Sequence, residues 1–213
     1  MSLGLGTTLS KGGLATPSIV TDSLVLKHNY AAGGVVPVSD GAVLLNGTSD
    51  YINCGNDSSL QIGQADITYT AWIKSTGSAE YIIAKRDDNN GAGSVHIYSG
   101  GQIRLYSGKQ SQDNSSIVVN DGLWHHIAVV YDHSESDVFY YIDGMAQGHD
   151  TSVTWTAFDD NSELYIGFRE SGDPGHHFTG YMCNVGIWSG TLTQPQVKSI
   201  MWKNYAGLTS SET

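Results

Sequence analysis

Short stretches of alternating apolar and polar residues, separated by glycine-containing turns, recur along the chain. The clearest stretch is Asp66–Lys74, where every second residue within Ile67–Ile73 is apolar. Successive residues of a β-strand point to opposite sides, so this alternation predicts a half-buried strand. Trp124–Asp132 is apolar on both faces in its middle, which predicts a central, covered strand. Leu24–His28 and Ala42–Leu45 are further candidate strands.

Two pairs of candidate strands are joined by residues that favour tight turns. Val95–Ser99 and Gln102–Tyr106 flank Gly100-Gly101, and both glycines can adopt the positive φ angles of a two-residue hairpin turn. Val138–Ile142 is followed by Asp143-Gly144, which carries the same signal. The sequence therefore predicts two β-hairpins.

Helical spacing indicates one short helix near the C-terminal end. Thr193 and Gln196 have the spacing of a capping box, and Pro195 falls in the first turn, where its missing N–H costs nothing. Apolar residues then recur at helical intervals, at Val197, Ile200 and Met201. We expect this helix to pack against a sheet.

The composition also favours an all-β fold. The chain has 213 residues, of which 26 are glycine and only 15% are charged. Many short strands joined by turns produce such a composition, and the length suits one large β-sandwich. Residues 1–22 are rich in Gly, Ser and Thr, which predicts an extended arm before a single domain over residues 23–213.

The net charge narrows the choice of partners. A formal charge of −11 repels the phosphate backbone and anionic lipid surfaces, so we expect neither a nucleic-acid nor a membrane partner. The carboxylates that produce this negative charge are able to coordinate a hard cation such as calcium. Residues 1–20 lack a signal-peptide pattern, and no apolar run is long enough to span a bilayer. We therefore expect a chain that is made in the cytoplasm.

Seven strings of residues, in this order, resemble those of laminin-G-like and pentraxin-like domains. They are Asn46–Ile52, Ile67–Lys74, Ile82–Lys85, Trp124–Asp132, Tyr141–Gly144, Leu164–Gly167 and Phe178–Gly180. The resemblance implies a concanavalin A-like jelly roll, which is a β-sandwich of two antiparallel sheets with one short C-terminal helix. This fold hosts lectins, adhesion modules, glucanases and structural domains, so it does not by itself imply one function.

The beginning of the chain has a resemblance of its own. Residues 4–13 and 21–26 are similar to the starts of laminin-G-like proteins encoded by marine tailed phages. This similarity implies a virion-associated protein whose N-terminal arm contacts other virion proteins. Separately from this resemblance, we expect that the chain forms a homo-oligomer.

Calcium is the cofactor that the resemblance implies. Asp50 matches a family position that often lies near a metal ion. Asp87 and Asp88 belong to an oxygen-rich loop with a glycine for a sharp turn, so they are further candidate calcium ligands. The alternative for this loop is a solvated turn between strands. Two departures weigh against an inherited site, because Phe168–Glu170 keeps one carboxylate and Cys183-Asn184 replaces the usual Asp-Glu.

Candidate ligand-binding residues fall into a polar group and an aromatic group. Sugar rings stack their C–H faces on exposed aromatic side chains, although an aromatic residue of a sandwich also has a place in the core. Hydroxyl groups of a sugar can bond to loop carboxylates and amides. The candidates are Asp87, Asp88, Asn89, Tyr98, Tyr106, Trp155 and His176.

Catalytic patterns are missing from the sequence. Laminarinase-type relatives carry Glu-x-Asp-x-(x)-Glu on one strand, which aims carboxylates into one cleft, and none of the five glutamates begins such a pattern. His125 and His126 are adjacent on a predicted strand, so they point to opposite faces and cannot chelate one ion. Two cysteines, Cys54 and Cys183, are too few for a disulfide framework, and the sequence leaves their pairing open.

Three functional hypotheses follow from these observations. The first is a non-catalytic carbohydrate- or surface-binding module, lectin-like, assisted by calcium and displayed on a phage particle. The second is a virion structural or decoration protein without sugar binding. The third is a polysaccharide hydrolase or lyase. The expected partner under the first hypothesis is a glycan or a cell-surface polysaccharide.

Overall fold

The computed structural model describes residues 39, 41–61, 65–85, 93–106, 111–153, 162–170 and 176–210. The predicted arm over residues 1–22 and the predicted strand Leu24–His28 lie outside these residues. The boundary between arm and domain therefore stays a prediction.

Twelve strands in the described residues form two antiparallel sheets of six strands each. Sheet A has the order β1-β12-β3-β8-β9-β10, and sheet B has the order β2-β11-β4-β5-β6-β7. The strands of sheet A are β1 Val43–Asn46, β3 Ile67–Ser75, β8 His125–Asp132, β9 Asp137–Ile142, β10 Met145–Asp150 and β12 Thr179–Trp188. Those of sheet B are β2 Ile52–Asn53, β4 Glu80–Ala84, β5 Ser94–Ile97, β6 Gln102–Tyr106, β7 Ser111–Val118 and β11 Tyr165–Ile166.

One α-helix, α1 Gln194–Ile200, and two short 3₁₀ turns, Ser58–Leu60 and Tyr205–Gly207, complete the described elements. The predicted all-β sandwich of two antiparallel sheets with one C-terminal helix is confirmed. No helix among the described residues is long and apolar enough to cross a lipid bilayer.

Apolar side chains from both sheets form one core cluster. Sheet A contributes alternate residues of its central strands, as period-2 alternation requires. These residues include Ile67, Tyr69, Ala71, Ile73, Ile127, Val129, Tyr131, Val138, Tyr140 and Ile142. Sheet B contributes Ile82, Ile83, Val95, Ile97, Ile103 and Leu105. The central position predicted for β8 is confirmed, because its residues 126–131 are all buried.

The prediction that β3 is half-buried is wrong, because its second face is buried as well. Thr68, Thr70 and Trp72 point away from the core cluster and are nonetheless covered. The chain that follows β12 covers them. The Thr68 hydroxyl donates to the Gly190 carbonyl at 2.7 Å, and the Trp72 Nε1–H donates to the Met201 carbonyl at 2.9 Å.

Of the two predicted hairpin turns, one is confirmed and one differs in length. Asp143 and Gly144, with φ of 52° and 73°, form the two-residue turn between β9 and β10. The turn between β5 and β6 has three residues, because the Tyr98 N–H donates to the Gln102 carbonyl. Only Gly101 of its glycine pair has a positive φ, at 87°. A three-residue loop needs a single left-handed residue, which Gly101 supplies.

The predicted capping box of α1 is present. The Gln196 side-chain oxygen accepts hydrogen bonds from the Thr193 N–H at 2.8 Å and from the Thr193 hydroxyl at 2.7 Å. We expect Gln196→Ala to lower the free energy of unfolding by about 1 kcal/mol, because a helix end loses its cap. Urea denaturation followed by circular dichroism measures this change. Gln196→Glu keeps an acceptor and should stay close to the parent, so equal losses in both variants would contradict the role of the cap.

The two cysteines are both free thiols in the structure. Cys54 is exposed and Cys183 is half-buried. Burial raises the pKa of each thiol above its ordinary value. The pairing that the sequence left open is therefore not formed.

Candidate functional site

The outer face of sheet B carries a row of polar and aromatic side chains. Val95 and Ile97 of β5 belong to the core cluster, so His96 between them points outward. Strand pairing places Tyr81 of β4 and Arg104 of β6 directly opposite His96, one on each side. Three neighbouring strands therefore present one residue each to the same row.

The rings and the guanidinium of this row are stacked on one another. Tyr81 and His96 lie with their ring centroids 4.9 Å apart and their planes at 29°. His96 is also 6.3 Å from the ring of Tyr98, in an edge-on arrangement. The Arg104 guanidinium carbon lies 3.5 Å from the centroid of the Tyr98 ring. This distance is that of a cation–π contact.

Two segments outside β4, β5 and β6 each contribute one further residue to this row of side chains. Arg169, which follows β11, has its guanidinium carbon 5.2 Å from the centroid of Tyr81. His176, which precedes β12, has its ring 5.4 Å from Tyr81 in an edge-on arrangement. We call the six residues the strand-face cluster: Tyr81, His96, Tyr98, Arg104, Arg169 and His176. It therefore unites residues that lie up to 95 positions apart in the chain.

A second aromatic group, which we call the edge cluster, lies where β2 pairs with β11. Tyr51 stacks on Phe168 with the ring centroids 4.9 Å apart, and Tyr165 meets both rings edge-on. His177 lies 4.5 Å from Phe168. Since His176 belongs to the strand-face cluster and His177 to the edge cluster, consecutive residues connect the two.

Hydrogen bonds fix one carboxylate beside the edge cluster. Glu163 accepts from the Tyr165 hydroxyl at 2.7 Å and from the Asn53 amide at 2.6 Å. These two bonds lower the pKa of the Glu163 carboxyl below its ordinary value. The pKa of His177 is lowered mainly by burial, with a smaller contribution from the charge of His176, while Asp50 acts in the opposite direction. The Glu163 carboxylate is thus ionised at neutral pH and held in place.

Several buried polar atoms of this face have no hydrogen-bond partner within the described part of the chain, and two of them belong to Ser94 and His176. Ser94 is fully buried, and its hydroxyl has no hydrogen-bond partner there. The Nδ1 atom of His176 is buried and likewise has none. Buried polar atoms are normally satisfied by protein, water or a ligand.

The predicted ligand-binding residues have different positions. Tyr98 and His176 lie together in the strand-face cluster. Tyr106 is opposite Ser94 in β6 and lies on the same outer face, so neither tyrosine is a core residue. The remaining candidates lie outside the described residues; they are Asp87, Asp88, Asn89 and Trp155.

The calcium prediction stays open. Asp50 is exposed, and its backbone N–H donates to the Asn46 side chain at 3.1 Å. In the described part of the chain, His, Cys, Asp and Glu side chains nowhere form a group of three or more that could hold a metal ion. Because Asp87 and Asp88 lie outside that part, a site that includes them stays a prediction.

Sequence reasoning missed most of the strand-face cluster. His96 and Arg104 could have been recognised from alternation, because each lies between two apolar residues of a predicted hairpin. Tyr81 and Arg169 gave no such signal. Tyr81 is next to a register shift in β4, and Arg169 belongs to a segment without regular structure.

His125 and His126 point to opposite sides of β8, as predicted. His125 lies between the carboxylates of Asp143 at 2.9 Å and Asp121 at 3.2 Å, and the hydrogen bond to Asp143 raises the pKa of His125. His126 is buried against Trp72 on the outer side of sheet A, where desolvation lowers its pKa to about 4. The contacts of both histidines are thus those of structural residues, and neither histidine lies in the strand-face cluster.

Two cavities lie away from the strand-face cluster. One, of about 600 Å³, lies on the outer side of sheet A beside Trp72, His126 and Trp188. The other, of about 530 Å³, is lined by residues around Val43, Ile52 and Cys183. Neither contains a residue that the sequence predicted to bind a ligand. The outer face of sheet B therefore remains the strongest candidate site.

Comparison with known proteins places this architecture in a family. Residues 46–198 match the model of the Concanavalin A-like lectin/glucanases superfamily, laminin-G type. A mouse protein, "Sushi, von Willebrand factor type A, EGF and pentraxin domain-containing protein 1", is 28% identical over 142 residues. These residues make up 62% of this chain, and the chain spans only 4% of the length of that relative.

Two solved structures have the same fold. A putative carbohydrate binding protein from Bacteroides ovatus is 22% identical with a TM-score of 0.59, over 74% of this chain and 46% of that one. Domain 4 of an extracellular arabinanase from Geobacillus stearothermophilus, in complex with arabinotriose, is 22% identical with a TM-score of 0.57, over 79% and 82%. The expected laminin-G and pentraxin resemblance is confirmed: the chain belongs to the laminin-G-like family of the Concanavalin A-like lectin/glucanases superfamily.

Proposed function

We propose that this chain is a non-catalytic carbohydrate-binding module that binds a glycan on the outer face of sheet B. The observation that carries the proposal is the strand-face cluster, in which four aromatic or imidazole rings and two guanidiniums are packed side by side. Such a surface offers both kinds of contact that sugars make. Ring faces accept the C–H groups of a pyranose, and guanidinium, imidazole and hydroxyl groups bond to its oxygens.

Two tyrosines of this surface are accessible enough for a sugar to stack on them. Tyr98 is 37% exposed and Tyr51 is 46% exposed, although both lie among other rings. A shallow face of this kind binds a single sugar weakly. Repeated sugars or several copies of the module would raise the overall affinity by multivalency.

The fold relatives support a binding role. One of them is described as a putative carbohydrate binding protein, and another is a domain with arabinotriose bound. In the second case the domain belongs to an extracellular arabinanase, so the fold serves there as one part of a larger glycan-degrading protein. We therefore expect the module to attach a longer chain or a particle to a polysaccharide.

The surroundings of two glutamates support a role without catalysis. Glu80 is buried and accepts from the Ser75 hydroxyl at 3.0 Å, which ties β4 to the end of β3. Glu163 is bound by Asn53 and Tyr165, as described above. Glycoside hydrolysis needs a pair of carboxyl groups that flank the scissile bond. Both of these carboxyl groups already serve as hydrogen-bond acceptors that hold strands together.

Tyr98→Ala is expected to weaken glycan binding about fivefold, because the sugar loses a stacking surface worth about 1 kcal/mol. A glycan array identifies the ligand, and isothermal titration calorimetry with that oligosaccharide measures the change. Tyr181→Ala is the matched control, since Tyr181 is 42% exposed but lies on β12 of sheet A. Equal losses in both variants, or none in either, would contradict a site on sheet B.

The array also tests the finer parts of the hypothesis. Binding that a chelator abolishes would support calcium assistance and direct mutation to Asp50, Asp87 and Asp88. Binding that a chelator leaves unchanged would keep the glycan site and remove the metal. Silence of folded protein on all glycans would overturn the proposal and favour the structural role on a virion. Display on a phage particle rests on the sequence resemblance of the N-terminal residues alone.

A further inference from the structure

We infer that the side chains of Lys85 and Asn56 join in a covalent amide bond, with loss of ammonia. This inference goes beyond the proposed function and does not depend on it. It starts from the Lys85 side chain, which is fully buried directly after β4. Lysine is rarely fully buried, because an ammonium group loses the solvation of water in a protein interior. The surroundings of this amine therefore need an explanation.

The amine of Lys85 lies against two carbonyl oxygens. Its Nζ donates to the side-chain oxygen Oδ1 of Asn56 at 2.5 Å and to the backbone carbonyl of Ser162 at 2.6 Å. The Cγ atom of Asn56 is bonded to Oδ1 at about 1.2 Å, so it lies within about 3.7 Å of Nζ. Reacting atoms in a near-attack arrangement are roughly 3–3.5 Å apart. The amine is thus held close to the carbon that it would attack.

The carboxamide of Asn56 is polarised by a second donor. Its Oδ1 also accepts a hydrogen bond from the Nε2 atom of Gln61, at 2.8 Å. When a nucleophile adds to Cγ, this oxygen gains negative charge, and a donor that is already aimed at it stabilises that charge. Gln61 therefore has the position of an oxyanion-hole donor towards Asn56.

The reaction balances without a metal, an oxidant or a second substrate. An interior of low polarity disfavours an ammonium relative to a neutral amine, and the neutral amine is the nucleophile. It adds to Cγ of Asn56, one of its protons passes to Nδ2, and the Cγ–Nδ2 bond breaks to release ammonia. A secondary amide between Lys85 and Asn56 remains. Because this amide is uncharged, its formation removes the cost of a buried ammonium.

The bond would connect two strands that are not neighbours in sheet B. Asn56 follows β2 and Lys85 follows β4, while β11 lies between these two strands. Both β2 and β11 are only two residues long, and two residue pairs join them. Few hydrogen bonds of the sheet therefore hold this edge. A covalent link from β4 to the segment after β2 would fix the edge in place.

Mass spectrometry of the full chain, purified and then denatured, tests the inference. We expect the intact mass to be lower than the mass calculated from the sequence by one molecule of ammonia. Trypsin cleaves after lysine and arginine, so an unmodified chain yields peptides 28–74 and 75–85. A modified Lys85 resists cleavage, so we expect peptide 75–86 joined to peptide 28–74. Fragment spectra then show whether the bond lies between Lys85 and Asn56.

Variants assign the mass difference to this pair of residues. Lys85→Met keeps an unbranched side chain in the buried position and removes the nucleophile, and Asn56→Ala removes the carbon that is attacked. Both variants should have the full calculated mass. Lys74→Met is the matched control, because Lys74 lies on β3 of sheet A, and it should keep the loss of ammonia.

The outcomes are independent of the glycan array. A parent chain with the full calculated mass would overturn the inference, and Lys85 would then be a hydrogen-bonded lysine only. A loss of ammonia that persists in Lys85→Met would also overturn it, because the loss would then come from another site, such as a succinimide at Asn46-Gly47. Neither result would affect the proposed glycan module. Silence on the array would likewise leave the expected mass unchanged.

Discussion

Replacement of Trp72 by alanine is expected to lower the free energy of unfolding by about 4 kcal/mol. The Trp72 side chain is fully buried on the outer side of sheet A. Its Nε1–H donates to the carbonyl of Met201, 129 residues further along the chain. Its ring lies 5.3 Å from His126 and 6.1 Å from Trp202. Alanine would remove the buried indole, leave a cavity, and deprive the Met201 carbonyl of its donor.

Two further variants separate these contributions. Trp72→Phe keeps most of the buried area but removes the donor, so we expect a loss of about 2 kcal/mol. Trp202→Ala removes a neighbouring indole that is 45% exposed, and we expect about 1 kcal/mol. Urea denaturation at pH 7, followed by circular dichroism, measures all three. If Trp72→Ala costs no more than Trp202→Ala, the C-terminal segment does not depend on this contact.

The burial of Trp72 marks the limit of what the sequence could predict about the fold. Alternation in residues 66–74, the continuous apolar middle of residues 124–132 and two glycine turns were enough to indicate antiparallel strands. Alternation describes one strand at a time, however, and the cover over Thr68 and Trp72 comes from residues beyond 188. Because that cover follows from long-range packing, the local pattern of β3 indicated a half-buried strand where the structure has a fully buried one.

The candidate site shows the same division between local and long-range information. Tyr98 and His176 could be proposed from residue type. Tyr81 could not, because its orientation depends on a β-bulge. The pairing of β4 with β5 shifts register between Tyr81 and Ile83, and both Ile82 and Ile83 belong to the core cluster. Strict alternation would place Tyr81 on the same face as Ile83, so only the bulge directs Tyr81 outward to meet His96.

Acidification is expected to destabilise the domain through His126, by about 3 kcal/mol between pH 7 and pH 4. The His126 ring is only 2% exposed, and desolvation lowers its pKa to about 4, with the charge of Asp143 acting weakly in the opposite direction. In the unfolded chain the same histidine takes up a proton near pH 6.5. Between these two values the unfolded state binds more protons, so stability falls as the pH falls.

The pKa shift of the neighbouring histidine, His125, has the opposite direction, so its effect on stability serves as an internal control. The pKa of His125 is raised, chiefly by its hydrogen bond to Asp143. Its contribution is fully present below its unfolded pKa and is lost as the pH rises through its folded pKa. We therefore expect His126→Gln to flatten the loss of stability between pH 7 and pH 4, and His125→Gln to make that loss steeper. Urea denaturation at half-unit pH intervals measures both profiles against the parent.

The outcome for His126 depends on the cavity beside it. His126 and Trp72 both line the cavity of about 600 Å³, and within the described residues the Nδ1 atom of His126 has no hydrogen-bond partner. A dry cavity leaves the imidazolium without solvation, which is the condition for a depressed pKa. A water-filled cavity would solvate the ring and return its pKa towards 6.5. Parallel profiles for His126→Gln and the parent would therefore mean that water enters the outer side of sheet A, and the depressed pKa would be refuted.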